Sequence, residues 1–439
     1  MTKVLITTSA GRSMSAWEQQ LGNTAILIST TRMLKEHILD AEISTTLQLS
    51  ESFCKKQGIK SLHDEVFWKG GYIRTPASFM DLLRCSLWAF LRRFLRLDIG
   101  ILVRGKRLRE YALTDVVLDL AGDTYSSDSV GWIHLLICSA ELLSARLLGK
   151  PVICFAVSPG PFYPRLILLL ARFTLNRATL ITTREQLSNE YLQEIGVKKE
   201  LLVTTACPAF LFEPASQERA KEILLHEGID KSDRPLVGVT LAGYNLYSYH
   251  TWGIPPTFKD LSSYAPAVKY LLDELKANVI LIPHVYRTNQ WTGEYIHGPD
   301  YVILQHLYQL VDGDKYNGRL KLMDGMYSAS EVKSVIGQFD LFVAGRLHAG
   351  IAALSQAVPT VLLAYGRKHY GVAKLLNQER YVCTGRDPEE TTSVVRDAWE
   401  NREEIRKSLQ GRLVRVKELA NLNFEIVKDI VTHNGLSQT

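Results

Sequence analysis

Short apolar runs alternate along this chain with longer stretches whose apolar residues recur every three or four positions. Each change of period falls at a glycine, a proline or a polar cluster. Val4–Thr7, Val116–Leu120, Pro151–Ala156 and Thr179–Thr182 read as buried strands. Between them Thr24–Glu36, Ile133–Leu148, Tyr163–Asn176 and Arg184–Ile195 read as helices, the last closed by Gly196. The alternation resumes after residue 235. Strands are expected at Leu236–Thr240, Asn278–Pro283, Leu341–Ala344 and Thr360–Ala364, with helices at Tyr264–Leu275 and Glu331–Ile336. Residues 394–433 keep a helical period and are heavily charged.

Strands alternating with helices imply parallel sheets covered on both faces. The expected fold class is α/β, with two Rossmann-like, doubly wound domains. A length of 439 residues agrees with two cores rather than one. The expected division is an N-terminal domain at 1–213, a polar linker at 214–235, a second domain at 236–393, and C-terminal helices at 394–439 packing back over both. Excursions at 50–115 and 243–262 are places where acceptor specificity can be built.

In an open parallel sheet, ligands bind beyond the carboxyl ends of the strands. The strand Leu341–Ala344 ends in Gly345 and is followed by Arg346 and His348; the strand Thr360–Ala364 is followed by Arg367, Lys368 and His369. Two neighbouring strand ends that present these side chains suit a small, strongly anionic ligand. The guanidinium fork of Arg346 matches a carboxylate or phosphate. Histidine as a residue type can exchange a proton near neutral pH, which makes His348 the general acid/base candidate. Arg184 is expected to open a helix, where backbone N–H groups favour phosphate, and Ser188 lies one turn on. The plainer alternative for Arg184 is a surface pair with Glu185, and for Lys368 a solvated basic loop. Asp123 and Asp128, in the turn after Val116–Leu120, are carboxylates for a sugar hydroxyl, with Asp123 also a candidate base or, equally, a helix cap. Asn23 after Gly22, and His284 after Leu281-Ile282-Pro283, complete the candidates.

Composition narrows this picture. Hydrophobic content of 46% and charged content of 22% are ordinary for a globular protein. A net charge of +5 fits anionic ligands or an anionic surface and gives no sign of a nucleic-acid partner. The six cysteines are scattered without a CxxC pair, against a disulfide framework or structural zinc, and Cys154 reads as core. No metal cluster, P-loop or GxGxxG pattern is seen. The N-terminus reads as a strand running into a glycine turn rather than a signal peptide, so a cytoplasmic setting is expected. Residues 77–103 are apolar but broken by Arg84, Arg92, Arg93 and Arg96. This suits a basic amphipathic helix on a membrane surface better than a spanning one. A helix packed on its domain with solvated arginines is the alternative.

The ordered set of motifs resembles the polysaccharide pyruvyl transferase family. It comprises LGNTAIL (21–27), DLAGDTYSSD (119–128), LLGKPVICFAVSPGP (147–161), ITTREQLSNEYLQEIGV (181–197), ACPAFLF (206–212), the Arg346-x-His348 turn, Val358-Pro359 and Lys368. The resemblance implies two domains facing a cleft, as in glycosyltransferases of the B type. It implies phosphoenolpyruvate as donor substrate, no further cofactor, and a ketal product on a sugar of a cell-surface polysaccharide or a lipid-linked oligosaccharide. It makes His348, Arg346 and Asp123 catalytic. Arg184, Arg346, Lys368 and Ser188 would bind the donor, and Asn23, Asp128 and His284 the acceptor. The second domain would be the donor side and the first the acceptor side; the first carries the 77–103 excursion, whose basic amphipathic pattern is what suggests peripheral contact at the inner membrane face. Cys207 stands where the family commonly has Asp, and Ala121 where a glycine is frequent. Two other readings stay open: a B-type glycosyltransferase or nucleotide-sugar enzyme, and a scaffold in an envelope assembly.

Overall fold

A computed structural model of the chain describes residues 1–7, 16–62, 74–123, 125–127, 132–229, 234–243, 258–288 and 295–436. It divides into two compact units. The first comprises residues 1–17, 28–208 and 419–439; the second comprises 18–27 and 209–418.

The first unit is built on a seven-stranded sheet, ordered β3-β2-β1-β4-β5-β6-β7. Its strands are β1 (Thr2–Thr7), β2 (Ala41–Thr45), β3 (Lys60–Ser61), β4 (Val116–Asp119), β5 (Val152–Val157), β6 (Leu180–Thr183) and β7 (Leu202–Thr204). Every pairing is parallel. The strands β4 and β5 are buried throughout, which is why they read as unbroken apolar runs rather than alternating ones. Cys154 is among these core positions.

The second unit repeats the plan with β8 (Leu236–Thr240), β9 (Asn278–Leu281), β12 (Leu320–Leu322), β13 (Leu341–Ala344), β14 (Thr360–Leu363) and β15 (Val382–Cys383). Their order is β12-β9-β8-β13-β14-β15, again all parallel. A short antiparallel pair, β10 (Tyr286–Thr288) and β11 (Tyr295–His297), stands apart from it. In each sheet the first strand lies in the middle and the order reverses beside it, between β1 and β4 and between β8 and β13. Those reversals are the topological switch points at which such sheets leave a crevice.

The helices mostly fall where the periodicity placed them, and the unit boundaries do not. Residues 217–226 of the expected linker form a helix that buries Ala220, Ile223 and Leu224 in the second unit and ties Arg219 to Glu331 at 2.8 Å. The helix Leu21–His37 begins in the second unit and ends in the first. The 35-residue helix Arg402–Leu436 makes the same crossing in reverse. Its last part is held in the first unit by Asn423, whose amide donates to the Ala206 carbonyl at 3.0 Å and accepts from Thr205 at 3.0 Å. Phe424 packs beside Phe155 and His37. A local pattern could not reveal these returns, because the partner residues lie more than two hundred positions away in the chain.

Candidate functional site

In the second unit, β13 is buried along its whole length and stops at Gly345, whose N–H donates to Thr240 at the end of β8. Arg346 follows in an extended conformation and caps the helix Leu347–Leu354. Its fork does not open toward solvent. The Nε and Nη2 atoms donate to the two carboxylate oxygens of Asp300, at 3.0 and 2.5 Å. Asp300 is fully buried in the first turn of the helix Pro299–Val311, where the helix dipole also favours a negative charge. Arg346, expected as a two-pronged anion clamp, therefore spends that geometry on a protein carboxylate. A buried carboxylate needs such a partner.

Asp300 also accepts the backbone N–H of His284 at 3.3 Å. His284 sits just past β9 and is almost wholly buried. Its pKa is pushed down to about 3, first by burial and then by the Arg346 charge. Its imidazole is accordingly neutral near pH 7. His348, two residues beyond Arg346, is half-buried. It packs on Gly22 so closely that a Cβ built there would lie 2.3 Å from the His348 Cβ and 2.5 Å from the ring. His284 and His348 line one small cavity, together with Gly22, Ala25, Phe212 and Lys333.

Two of these partners were not legible beforehand. Asp300 follows a proline in an apolar helix, with no local sign that its mate is Arg346. Lys333 lies in the helix Ala329–Ile336 and is buried; its ammonium donates to the Phe212 carbonyl at 2.5 Å. A lysine between Val332 and Ser334, before Val335 and Ile336, was the one available hint. Gly22 and Asn23, which precede the expected helix start at Thr24, lie instead in the first turn of the helix Leu21–His37. There the Leu21 N–H bonds the His284 carbonyl at 3.3 Å, and the Asn23 amide donates to Gln20 at 3.1 Å. Asn23 thus belongs to the second unit, not the first.

Arg367, Lys368 and His369 form the first turn of a helix, Arg367–Leu375, rather than a loop. Lys368 lies 4.8 Å over the Tyr365 ring, and His369 is buried edge-on to the same ring. Because β13 and β14 are paired, Arg346 and Lys368 begin helices at adjacent strand ends.

The remaining candidates lie in the first unit. Arg184 is buried just after β6 and precedes its helix, Gln186–Glu194, instead of opening it. Its Nε donates to Ser158, past the end of β5, at 2.6 Å. Glu185 is fully buried and caps that helix. Its carboxylate accepts the Ser188 N–H at 2.8 Å and the Ser188 hydroxyl. The amide and hydroxyl of Ser188 expected to greet a phosphate are thus met by the protein's own carboxylate. Asp123 is half-buried beyond β4, beside Gly122, whose carbonyl accepts the Ser158 N–H at 2.8 Å. Asp123, Ser158 and Arg184 therefore follow three adjacent strands. Asp119, at the end of β4, accepts the Tyr125 hydroxyl at 2.5 Å, and burial followed by that carboxylate holds the phenol well above its usual pKa. Asp128 lies outside the described residues. Among the described residues no three His, Cys, Asp or Glu side chains come together as a metal-holding group.

Two parallel α/β sheets with polar and charged side chains at their strand ends define a class that solved structures share. The chain is similar to a glycosyltransferase from Rickettsia africae, at a TM-score of 0.56 and 9% identity over 98% of each chain. It is similar to HepE from Anabaena in complex with UDP, at 0.56 and 12%, covering 98% of this chain and 100% of that one. A UDP-GlcNAc 2-epimerase from Neisseria meningitidis bound to UDP-GlcNAc matches at 0.59 and 11%, over 99% and 100%. At such identities the likeness is one of fold. No curated protein sequence matches the chain. Residues 21–367 match the polysaccharide pyruvyl transferase family, and the protein belongs to it. It is accordingly a transferase.

Proposed function

We propose that the protein transfers the carboxyvinyl unit of phosphoenolpyruvate to two hydroxyls of a sugar, leaving a pyruvate ketal and inorganic phosphate. The observation that supports this most is the pair Arg346 and His348 at the end of β13, in a chain matched to the family over residues 21–367. The reaction adds a proton to the methylene carbon, joins one sugar oxygen to the adjacent carbon, and expels phosphate as the second oxygen attacks. The two hydroxyl protons balance the new methyl group and the phosphate. His348 is the proposed acid/base and Lys368 the cation for the leaving phosphate. Arg346, with its fork on Asp300, contributes charge at short range rather than a bidentate grip. The second unit is the proposed donor side and the first, with Asp123, the acceptor side. The acceptor is a polysaccharide unit or its lipid-linked precursor, met at the inner membrane face.

The test is calorimetric titration with phosphoenolpyruvate of the wild type and of Lys368→Ala and His348→Ala. Arg346→Ala is a poor first probe, because it strands a buried carboxylate. Binding that weakens at Lys368 supports the reading; binding of UDP or a UDP-sugar in place of phosphoenolpyruvate supports a nucleotide-sugar enzyme, the class of the similar folds.

A further inference from the structure

The helix Arg74–Phe94 packs on the helix Trp132–Leu147 of the first unit through Ser78, Cys85 and Trp88. Arg107 anchors it, donating to Asp81 at 2.7 Å and to Ser78 at 2.9 Å. On the opposite side Met80, Leu83, Leu87, Phe90 and Phe94 succeed one another at spacings of three and four, so they form one stripe. That stripe is bare: Leu83 is 63% exposed and Phe94 68%. It runs on through Leu97 to Ile101, which is 70% exposed. The helix Arg165–Leu175 packs on the same Trp132–Leu147 helix and repeats the pattern, with Leu166, Leu169 and Phe173 exposed.

Charge decides what can cover these stripes. Met80 to Ile101 contains Arg84, Arg92, Arg93 and Arg96 against two acids, Asp81, which is paired with Arg107, and Asp98, which accepts the Trp88 indole N–H; Pro164 to Arg177 contains Arg165, Arg172 and Arg177 and no Asp or Glu. Arg84 and Arg93 fall on the two flanks of the first stripe. A second copy of this chain would bring arginine against arginine. An acidic, apolar-cored surface is the complement, and a bilayer with anionic headgroups offers both parts.

We propose that this face of the first unit docks on an anionic lipid bilayer. The Arg74–Phe94 helix lies in the interfacial plane, with Leu83, Leu87, Phe90 and Phe94 toward the acyl chains and its arginines at the level of the phosphates. The docking deepens the proposed function, since it carries the unit assigned to the acceptor to where a lipid-linked acceptor resides, and rests on that reading for its purpose alone.

The test is co-sedimentation of the full chain with vesicles of phosphatidylcholine, pure or mixed with phosphatidylglycerol. The wild type is expected to pellet with the mixed vesicles and to be released by salt. Arg84→Glu/Arg93→Glu and Leu87→Asp/Phe90→Asp are each expected to lower the partition by about tenfold or more. Absence of partition, or partition that both variants leave intact, overturns the proposal. Self-association that Leu87→Asp abolishes also overturns it and assigns the stripe to a second copy. Phosphoenolpyruvate titration of the same preparations keeps the two readings apart: loss of donor binding alone strikes the proposed reaction and leaves the docking in place.

Discussion

Gly22 and His348 touch in a way that a side chain at position 22 would forbid. A Cβ there would fall 2.3 Å from the His348 Cβ and 2.5 Å from its Nδ1. Elsewhere in a helix, replacing glycine by alanine stabilises by roughly 0.5–1 kcal/mol. Here the sign should reverse. Gly22→Ala is expected to destabilise by about 1–3 kcal/mol, because either the first helical turn or the imidazole must move. Thermal unfolding checks the sign, and transfer activity should fall with it if His348 is the acid/base. A stabilised, fully active Gly22→Ala protein would show that the contact is loose.

Arg346 and Asp300 should behave as one buried unit. Either single variant, Arg346→Met or Asp300→Leu, is expected to lose roughly 3–5 kcal/mol by leaving a buried charge unpaired. The double variant should recover much of that loss, so a urea-unfolding cycle should give a large coupling energy. Additive losses would mean that solvent relieves the pair.

His284 gives the stability curve a definite slope. The unfolded chain takes up a proton on this imidazole below its ordinary pKa of 6.5, while the native one resists protonation until about 3. The unfolded state then binds more protons, so stability falls as pH drops through that window and is fully present above it. In His284→Gln this component disappears. The wild type's advantage over the variant should therefore shrink steadily on acidification, as read by denaturant unfolding at successive pH values. A constant difference would place the imidazole in solvent.

Arg107 holds the exposed amphipathic helix to its unit by pairing with Asp81 at 2.5 Å and approaching Glu141 at 3.7 Å, all three largely buried. Arg107→Met is expected to cost roughly 3–5 kcal/mol by removing the buried guanidinium that the two carboxylates share, since Arg84, 3.9 Å from Asp81, is too exposed to replace it. Hydrogen exchange should quicken across 78–94 and 135–147 and remain unchanged in the second unit. Uniform exchange through the chain would refute a local anchor.

Much of the fold is legible because its information is local. A strand buried on both faces must be apolar throughout, so β5, β8 and β13 stand out in the sequence. Shorter strands such as β3 and β15 are missed, since two residues carry no period. The site is legible only in part. Arg346, His348 and Lys368 follow strand ends that the pattern marks, and His284 joins His348 at one cavity as its position after β9 allowed. The fate of the Arg346 fork was hidden. Its partner lies 46 residues earlier, and a carboxylate in the first turn of one helix carries no mark of which cation it will meet. Likewise nothing near Arg184 announced that Glu185 would turn inward to cap the following helix.

What the sequence by itself determined was the order of strands and helices, the parallel α/β class and the basic residues at the strand ends. Each follows from periodicity and from turn chemistry within a few residues. What the tertiary structure decided was which of those residues remain available for chemistry. Burial makes an unpaired charge or an unmet donor costly, so the fold paired Arg346 with the Asp300 carboxylate and gave the Arg184 Nε–H the Ser158 hydroxyl, across long separations in the chain. Close packing did the rest: it set Gly22 against His348 and returned residues 419–439 to the first unit, contacts that depend on shape in three dimensions and leave no period to read.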